Sequence, residues 1–201
     1  MTRRAFVALA AAGAAADGRL LAIPIHRITD ARARFAPAEL RHFWTVIWPE
    51  AVRDFARGGM ALATTDGPGE IRYTAADRPL FLGLQRHVLN LVLTRDLPLY
   101  WDEARARAGV TTIIDGCHVC VIALRYAHGD QAPFLSVNTC VHEMLHALMQ
   151  DVFVTKPKWY QSGTREFNAD YYATLMWLFH DGSAVRRSAE SYLRRLRAVA
   201  N

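Results

Sequence analysis

Two histidines and a glutamate in one short run are the residues of this chain with the clearest chemical potential. His142, Glu143 and His146 form the pattern H-E-x-x-H. On a helix, residues four apart lie on one face, one turn from each other, so both imidazoles can reach a single zinc ion. The glutamate then lies beside the metal, where it can act as a base. The pattern predicts zinc-dependent hydrolysis.

A third zinc ligand is expected from the helix that follows. A catalytic zinc ion takes three protein ligands and keeps one position open for water. Glu166 and Asp170 are four residues apart, which places both carboxylates on one face of that predicted helix. Glu166 is the predicted third ligand, and Asp170 is a predicted acceptor for the other N–H of a ligand histidine. No histidine occurs between His146 and His180, which excludes the pattern with a third histidine ligand.

This combination resembles the gluzincin metallopeptidases, zinc peptidases in which H-E-x-x-H is followed by E-x-x-x-D on the next helix. The resemblance extends over roughly residues 136–180. The matched residues are His142, Glu143, His146, Glu166 and Asp170. The resemblance implies that both histidines and Glu166 bind Zn²⁺, that Glu143 serves catalysis and that Asp170 orients His142. It also implies a peptide or protein substrate.

The ligand set predicts a mechanism. Zinc would polarise the scissile carbonyl and lower the pKa of its water towards neutrality, and Glu143 would take that proton and pass it to the leaving amine. The charge that develops on the carbonyl oxygen needs a further donor. Tyr160, in the turn between the two site helices, is favoured over the other candidates, which are Tyr171, Tyr172 and His180. Residues 119–126 are a candidate sheet edge for an extended peptide.

Two other functions share these motifs. A zinc hydrolase that acts on a non-peptide amide would carry the same residues, and so would a catalytically silent binding or structural domain that keeps the metal site. Taken one at a time, each matched residue is also compatible with an ordinary solvated or packed side chain.

The three cysteines allow several interpretations. Cys117 and Cys120 form a C-x-x-C pair, which could be a redox pair or, with Cys140 and His118, a structural metal site. Buried thiols or a single disulfide are the favoured interpretations.

Composition predicts a single domain, and the first 16 residues predict its export. The chain has 201 residues, 52% of them hydrophobic, which suits one compact domain. Its net charge of +5 without a basic stripe argues against nucleic-acid binding, and no stretch is long and apolar enough to demand a membrane span. Arg3 and Arg4 precede an alanine-rich run that ends at Ala16. This segment resembles a twin-arginine export signal and predicts a periplasmic or extracellular domain of residues 17–201, or a cytoplasmic one if residues 1–16 are an ordinary helix. The oligomeric state is not indicated.

The helices and strands that the sequence predicts around the H-E-x-x-H site indicate an α+β fold. Strands are expected at residues 20–28, 71–93, 111–114 and 119–126, in a small mixed or antiparallel sheet of four or five strands. Pro37 opens a predicted helix at residues 38–48, which Pro49 kinks or restarts towards residues 58–59, and residues 66–69 predict a turn. The H-E-x-x-H helix, capped by Ser136 or Asn138, should bury an apolar stripe against the sheet. A ligand-bearing helix at about residues 164–180 and a C-terminal helix follow. The gluzincin resemblance implies a zincin-like arrangement of these elements.

Overall fold

The computed structural model of the chain describes residues 20–73, 79–97, 109–124, 138–148 and 182–198. The strands are β1 (Leu21–Asp30), β2 (Met60–Tyr73), β3 (Pro79–Leu82), β4 (Leu89–Thr94), β5 (Gly109–Ile114) and β6 (Cys117–Ala123). The helices are α1 (Pro37–His42), a π-helical segment (Phe43–Ile47), α2 (Trp48–Arg57), α3 (Thr139–Leu148) and α4 (Gly182–Ala198). None of the helices in these ranges is long and apolar enough to cross a membrane.

The strands form one mixed sheet in the order β3-β2-β1-β4-β6-β5. The four inner strands are parallel to one another, whereas β3 and β5 pair antiparallel at the two edges. The mixed α+β class predicted from the sequence is therefore confirmed. The sheet has six strands, more than the predicted four or five, because β2 and β3 occupy a region where a turn and one long strand were expected.

The predicted turn at residues 66–69 is wrong, since β2 runs straight through it. Gly67 pairs with Ile28 of β1 in parallel register, and the imidazole of His26 occupies the space that a Cβ at Gly67 would need. At Gly69 the side chain of Ile28 and the carbonyl oxygen of Leu82 leave no room for a Cβ either. The glycines that indicated a turn are thus required for close approach within the sheet.

Around Pro49 the backbone stays helical, and the predicted kink or restart takes the form of a π-helical segment followed by α2, which ends at Arg57. Proline has no N–H and its ring clashes with the carbonyl four residues earlier. The chain accommodates the ring by widening to a π-helical segment just before it, in which the N–H of Trp48 donates to the carbonyl of Phe43. This widening removes the steric conflict without ending the helix.

The hairpin β5–β6 contains the turn predicted at Asp115 and Gly116. The position of β6 in the strand order corrects the prediction that residues 119–126 form a sheet edge. Asp115 and Gly116 both have positive φ, 50° and 76°, as a two-residue hairpin turn of the primed type requires. The strand predicted at residues 119–126 was a candidate edge, but β6 lies between β4 and β5. The edge at this end of the sheet is therefore β5.

Helix α3 packs on the sheet as its apolar pattern predicts. Its apolar stripe belongs to the main hydrophobic core together with residues of β1, β4, β6, α2 and α4. The stripe consists of Val141, Met144, Leu145 and Leu148, all 0% exposed. A second cluster, which includes Ile28, Val92 and Val121, lines the opposite face of the sheet. Helix α3 thus carries the H-E-x-x-H run on an element that is firmly part of the core.

Asp30 ties three parallel strands together at their carboxyl ends. Its side chain is 6% exposed. One carboxylate oxygen accepts hydrogen bonds from the backbone N–H groups of Ile71 (3.0 Å) and Arg32 (3.1 Å). The other oxygen accepts one from the hydroxyl of Thr94 at 3.4 Å. Donors from β2 and β4 therefore compensate the burial of this carboxylate at the end of β1.

We expect Asp30→Ala to lower the free energy of unfolding by about 2–4 kcal/mol, because hydrogen bonds to a charged acceptor are lost and buried donors remain. Chemical denaturation followed by circular dichroism measures the change. The control is Asp66→Ala, since Asp66 is 68% exposed in its ion pair with Arg27 and should cost at most about 1 kcal/mol. Equal losses in the two variants would contradict the assigned role of Asp30.

Candidate metal centre

The imidazoles of His142 and His146 converge on one side of α3. Their Nε2 atoms are 3.0 Å apart, and the two rings meet edge to face with centroids 4.7 Å apart. Both side chains are half-buried at the margin of the apolar stripe. This is the geometry that a spacing of four residues on a helix predicts.

The pair fits a zinc ion in both chemistry and distance. Neutral imidazole nitrogen is a preferred zinc ligand, and two such nitrogens in a tetrahedral site with bonds of about 2.0–2.1 Å lie roughly 3.3 Å apart. The observed separation of 3.0 Å is close to that value. Without a metal ion, one Nε2–H can donate to the other nitrogen.

Glu143 is turned away from solvent, in contrast to the two histidines. It lies about 100° around the helix from His142 and is only 4% exposed. Its side chain is directed at the edge strand β5. The hydroxyl of Thr111 lies 2.6 Å from Oε2 of Glu143. At Gly109 a Cβ would lie 2.6 Å from Cγ and 2.7 Å from Oε1 of Glu143, so the carboxylate occupies space that only a glycine leaves open.

The backbone carbonyl of Glu143 also receives donors from the sheet. The hydroxyl of Thr111 lies 2.7 Å from this oxygen, and the thiol of Cys120 donates to it at 3.3 Å. One hydroxyl proton can serve only one acceptor at a time. Because the thiol of Cys120 already donates to the backbone carbonyl of Glu143, the hydroxyl of Thr111 can donate to the carboxylate of Glu143.

Both ends of α3 are fixed by side chains. The side-chain oxygen of Asn138 accepts from the N–H groups of Cys140 (3.0 Å) and Val141 (3.3 Å), so Asn138, one of the two predicted caps, is the N-cap. Its amide donates to the carbonyl of Ile47 in the π-helical segment at 2.7 Å. At the other end, the hydroxyl of Ser188 of α4 donates to the carbonyl of Leu148 at 2.8 Å. These contacts set the position of the helix along its axis.

The other predicted site residues lie outside the described ranges. Glu166, Asp170 and Tyr160 are among them, as are Tyr171, Tyr172 and His180. Within the described ranges no group of three or more His, Cys, Asp or Glu side chains could hold a metal ion. The structure therefore brings together the imidazoles of His142 and His146, places the carboxylate of Glu143 against β5, and leaves the third ligand a prediction.

Sequence reasoning missed Thr111, Gly109 and Ser188. A threonine in a short strand and a serine in an arginine-rich helix carry no chemical signature of their own. Their importance comes from the order of the strands and from the packing of α4 on α3, neither of which a local pattern encodes.

The cysteines do not form the redox pair or the structural metal site considered above. Along a strand, residues three apart point to opposite faces. Accordingly, Cys117 belongs to the cluster on one face of the sheet and Cys120 to the core on the other. All three cysteines are buried free thiols. Burial raises the pKa of the Cys120 thiol, and likewise that of Cys140, far above the usual range for cysteine.

Comparison of the chain with protein-family models, with curated proteins and with solved structures finds no match.

We expect Cys120 and Cys140 to resist alkylation by iodoacetamide at pH 8, because the reactive thiolate is disfavoured by burial and the reagent cannot reach either sulfur. Mass spectrometry of peptides from the native protein should show both residues unmodified after a period that fully labels the unfolded chain. Rapid native labelling of either residue would contradict the buried positions described here.

Proposed function

We propose that this protein is a zinc-dependent hydrolase, and that the bond it hydrolyses is a peptide bond. One observation carries the proposal. Two imidazole nitrogens 3.0 Å apart lie on the same helix as a carboxylate that is 4% exposed and hydrogen-bonded to the neighbouring strand. Two imidazoles that could bind one metal ion, on the same helix as a buried carboxylate that could act as a base, are residues suited to metal-assisted hydrolysis.

In this proposal the residues of α3 have separate tasks. His142 and His146 would hold zinc, and the metal would supply Lewis-acid polarisation of the substrate carbonyl and activation of water. Glu143 accepts the proton of the attacking water and delivers it to the leaving nitrogen. The low exposure of Glu143 keeps bulk water from competing for that proton, and its hydrogen bond to Thr111 limits its rotation.

The position of β5 favours a peptide as substrate. In the described residues β5 pairs with β6 on one side only, so the backbone groups of its other side are oriented away from the sheet. An extended chain can add to such an edge through main-chain hydrogen bonds. Ile113, 55% exposed on this strand, offers apolar surface to a side chain of such a peptide. Glu143 lies against the same strand, so a peptide bound there would pass close to the base.

The remaining roles follow the gluzincin resemblance. Glu166 completes the zinc ligands, Asp170 orients His142, and Tyr160 donates to the developing oxyanion. The arrangement of the sheet, α3 and the following helix would then be zincin-like. The antiparallel edge strand β5, which packs against α3 at Glu143, supports this proposal.

We expect Glu143→Gln to lower kcat on a peptide substrate by about 10²–10⁴-fold, which is the usual contribution of a general base, while zinc remains bound. Peptide hydrolysis followed by mass spectrometry and zinc content measured by atomic absorption check the two parts. The matched control is Glu190→Gln on α4. Glu190 pairs with Arg186 at 3.4 Å at the surface, and its loss should change kcat by less than about twofold.

Two results would count against the proposal. Unchanged peptidase activity in Glu143→Gln would exclude Glu143 as the base, and unchanged zinc affinity in Glu166→Ala would exclude the proposed third ligand. Hydrolysis of non-peptide amides with no cleavage of any peptide would assign the same site to a different substrate class. Chelation should abolish activity, and added zinc should restore it.

We also propose that the protein is exported by a twin-arginine signal that is cleaved after Ala16. The paired arginines, the alanine-rich run and the small residues before Asp17 support this assignment. N-terminal sequencing of protein recovered outside the cytoplasm is expected to start at Asp17. Recovery of the protein only in the cytoplasm with residues 1–16 intact would contradict it.

A further inference from the structure

Strand β5 presents two adjacent features to Glu143. Alternate residues of a strand share a face, so Gly109 and Thr111 both face α3. Gly109 leaves the space that the carboxylate fills, and Thr111 places a hydroxyl 2.6 Å from Oε2. Together they form a seat for the carboxylate, which we call the β5 seat.

The β5 seat is not the only contact that anchors α3. The backbone carbonyl of Glu143 also receives the thiol of Cys120 at 3.3 Å, and the apolar stripe of α3 lies in the main hydrophobic core. Thr111 contacts both the backbone carbonyl and the carboxylate of Glu143. Gly109, which leaves room for the carboxylate, acts on the side chain itself.

From this geometry we infer that Thr111 is a positioning residue for the hydrolytic reaction, acting by holding the carboxylate of Glu143 in one orientation on the β5 seat. This inference rests on the proposed function, because it concerns the same base. A carboxylate on two or three rotatable bonds visits several orientations when it is unrestrained. A hydrogen bond of 2.6 Å from the hydroxyl of Thr111 selects one of them and would thereby align the base with the attacking water.

The test uses substitutions at Thr111 in the full zinc-loaded protein. Thr111→Val keeps the shape of the side chain and removes the hydroxyl, so kcat should fall by about tenfold to a hundredfold, the range expected for a hydrogen bond to a charged group. KM and zinc affinity should change by less than about twofold, since the hydrogen bonds described for Thr111 go to Glu143 and Cys120. Thr111→Ser keeps the hydroxyl and should retain most of kcat.

Two controls separate positioning from a general loss of structure. Thr112→Val makes the same chemical change on the opposite face of β5 and should leave kcat within about twofold of the wild type. In the Glu143→Gln background, Thr111→Val should have no further effect on kcat, because the base through which it acts is already gone. If Thr111→Val does not fold, the difference in kcat between Thr111→Ala and Thr111→Ser measures the contribution of the hydroxyl instead.

A crystal structure of Thr111→Val supplies a readout that does not depend on activity. Displacement of the Glu143 carboxylate from the β5 seat is expected. An unmoved carboxylate, or a kcat equal to that of the wild type, would overturn the role of Thr111 while leaving the proposed function intact. A wild-type protein that binds zinc and cleaves no peptide would overturn the proposed function, and with it the catalytic role of the seat.

Discussion

The structure around α3 depends on the burial of the Glu143 carboxylate between this helix and the edge strand β5 of the sheet. Burial of an ionised group is costly unless hydrogen bonds replace its water shell. Glu143 meets this condition next to Thr111, and Gly109 provides the room. The identity of the residues on β5, the antiparallel direction of that strand and the orientation of α3 must therefore agree with one another. A shift of one residue in β5 would turn Gly109 and Thr111 to the opposite face of the sheet.

The rest of the described chain holds this contact in register. Asn138 connects the start of α3 to the carbonyl of Ile47, in the widened turn that accommodates Pro49. Ser188 connects the end of α3 to α4. The π-helical segment before Pro49 thus helps to position α3, through the hydrogen bond from the side-chain amide of Asn138 to the carbonyl of Ile47. The apolar stripe of α3 supplies the burial, and these polar ties set the position of the helix within it.

The sequence allowed some of this to be predicted, for identifiable reasons. The H-E-x-x-H helix, its cap at Asn138 and the Asp115-Gly116 turn are local features, determined by spacing and by the special conformations of a few residue types. The course of β2 was not predictable, because glycine is favoured both in turns and where strands approach closely. Strand order depends on tertiary contacts, so the edge was assigned to β6 rather than β5. The importance of Thr111 could emerge only after that order was known.

The contacts of α3 also bear on the order in which the site can form during folding. The two histidines are four residues apart and need only one helical turn to approach each other, whereas Thr111 and Glu143 are separated by 32 positions and Asn138 and Ile47 by 91. Contacts between distant residues form only after the chain has closed large loops. A nascent chain can thus bring its two imidazoles together before Glu143 reaches the sheet. The histidine pair would therefore form earlier in folding than the contact between Glu143 and Thr111.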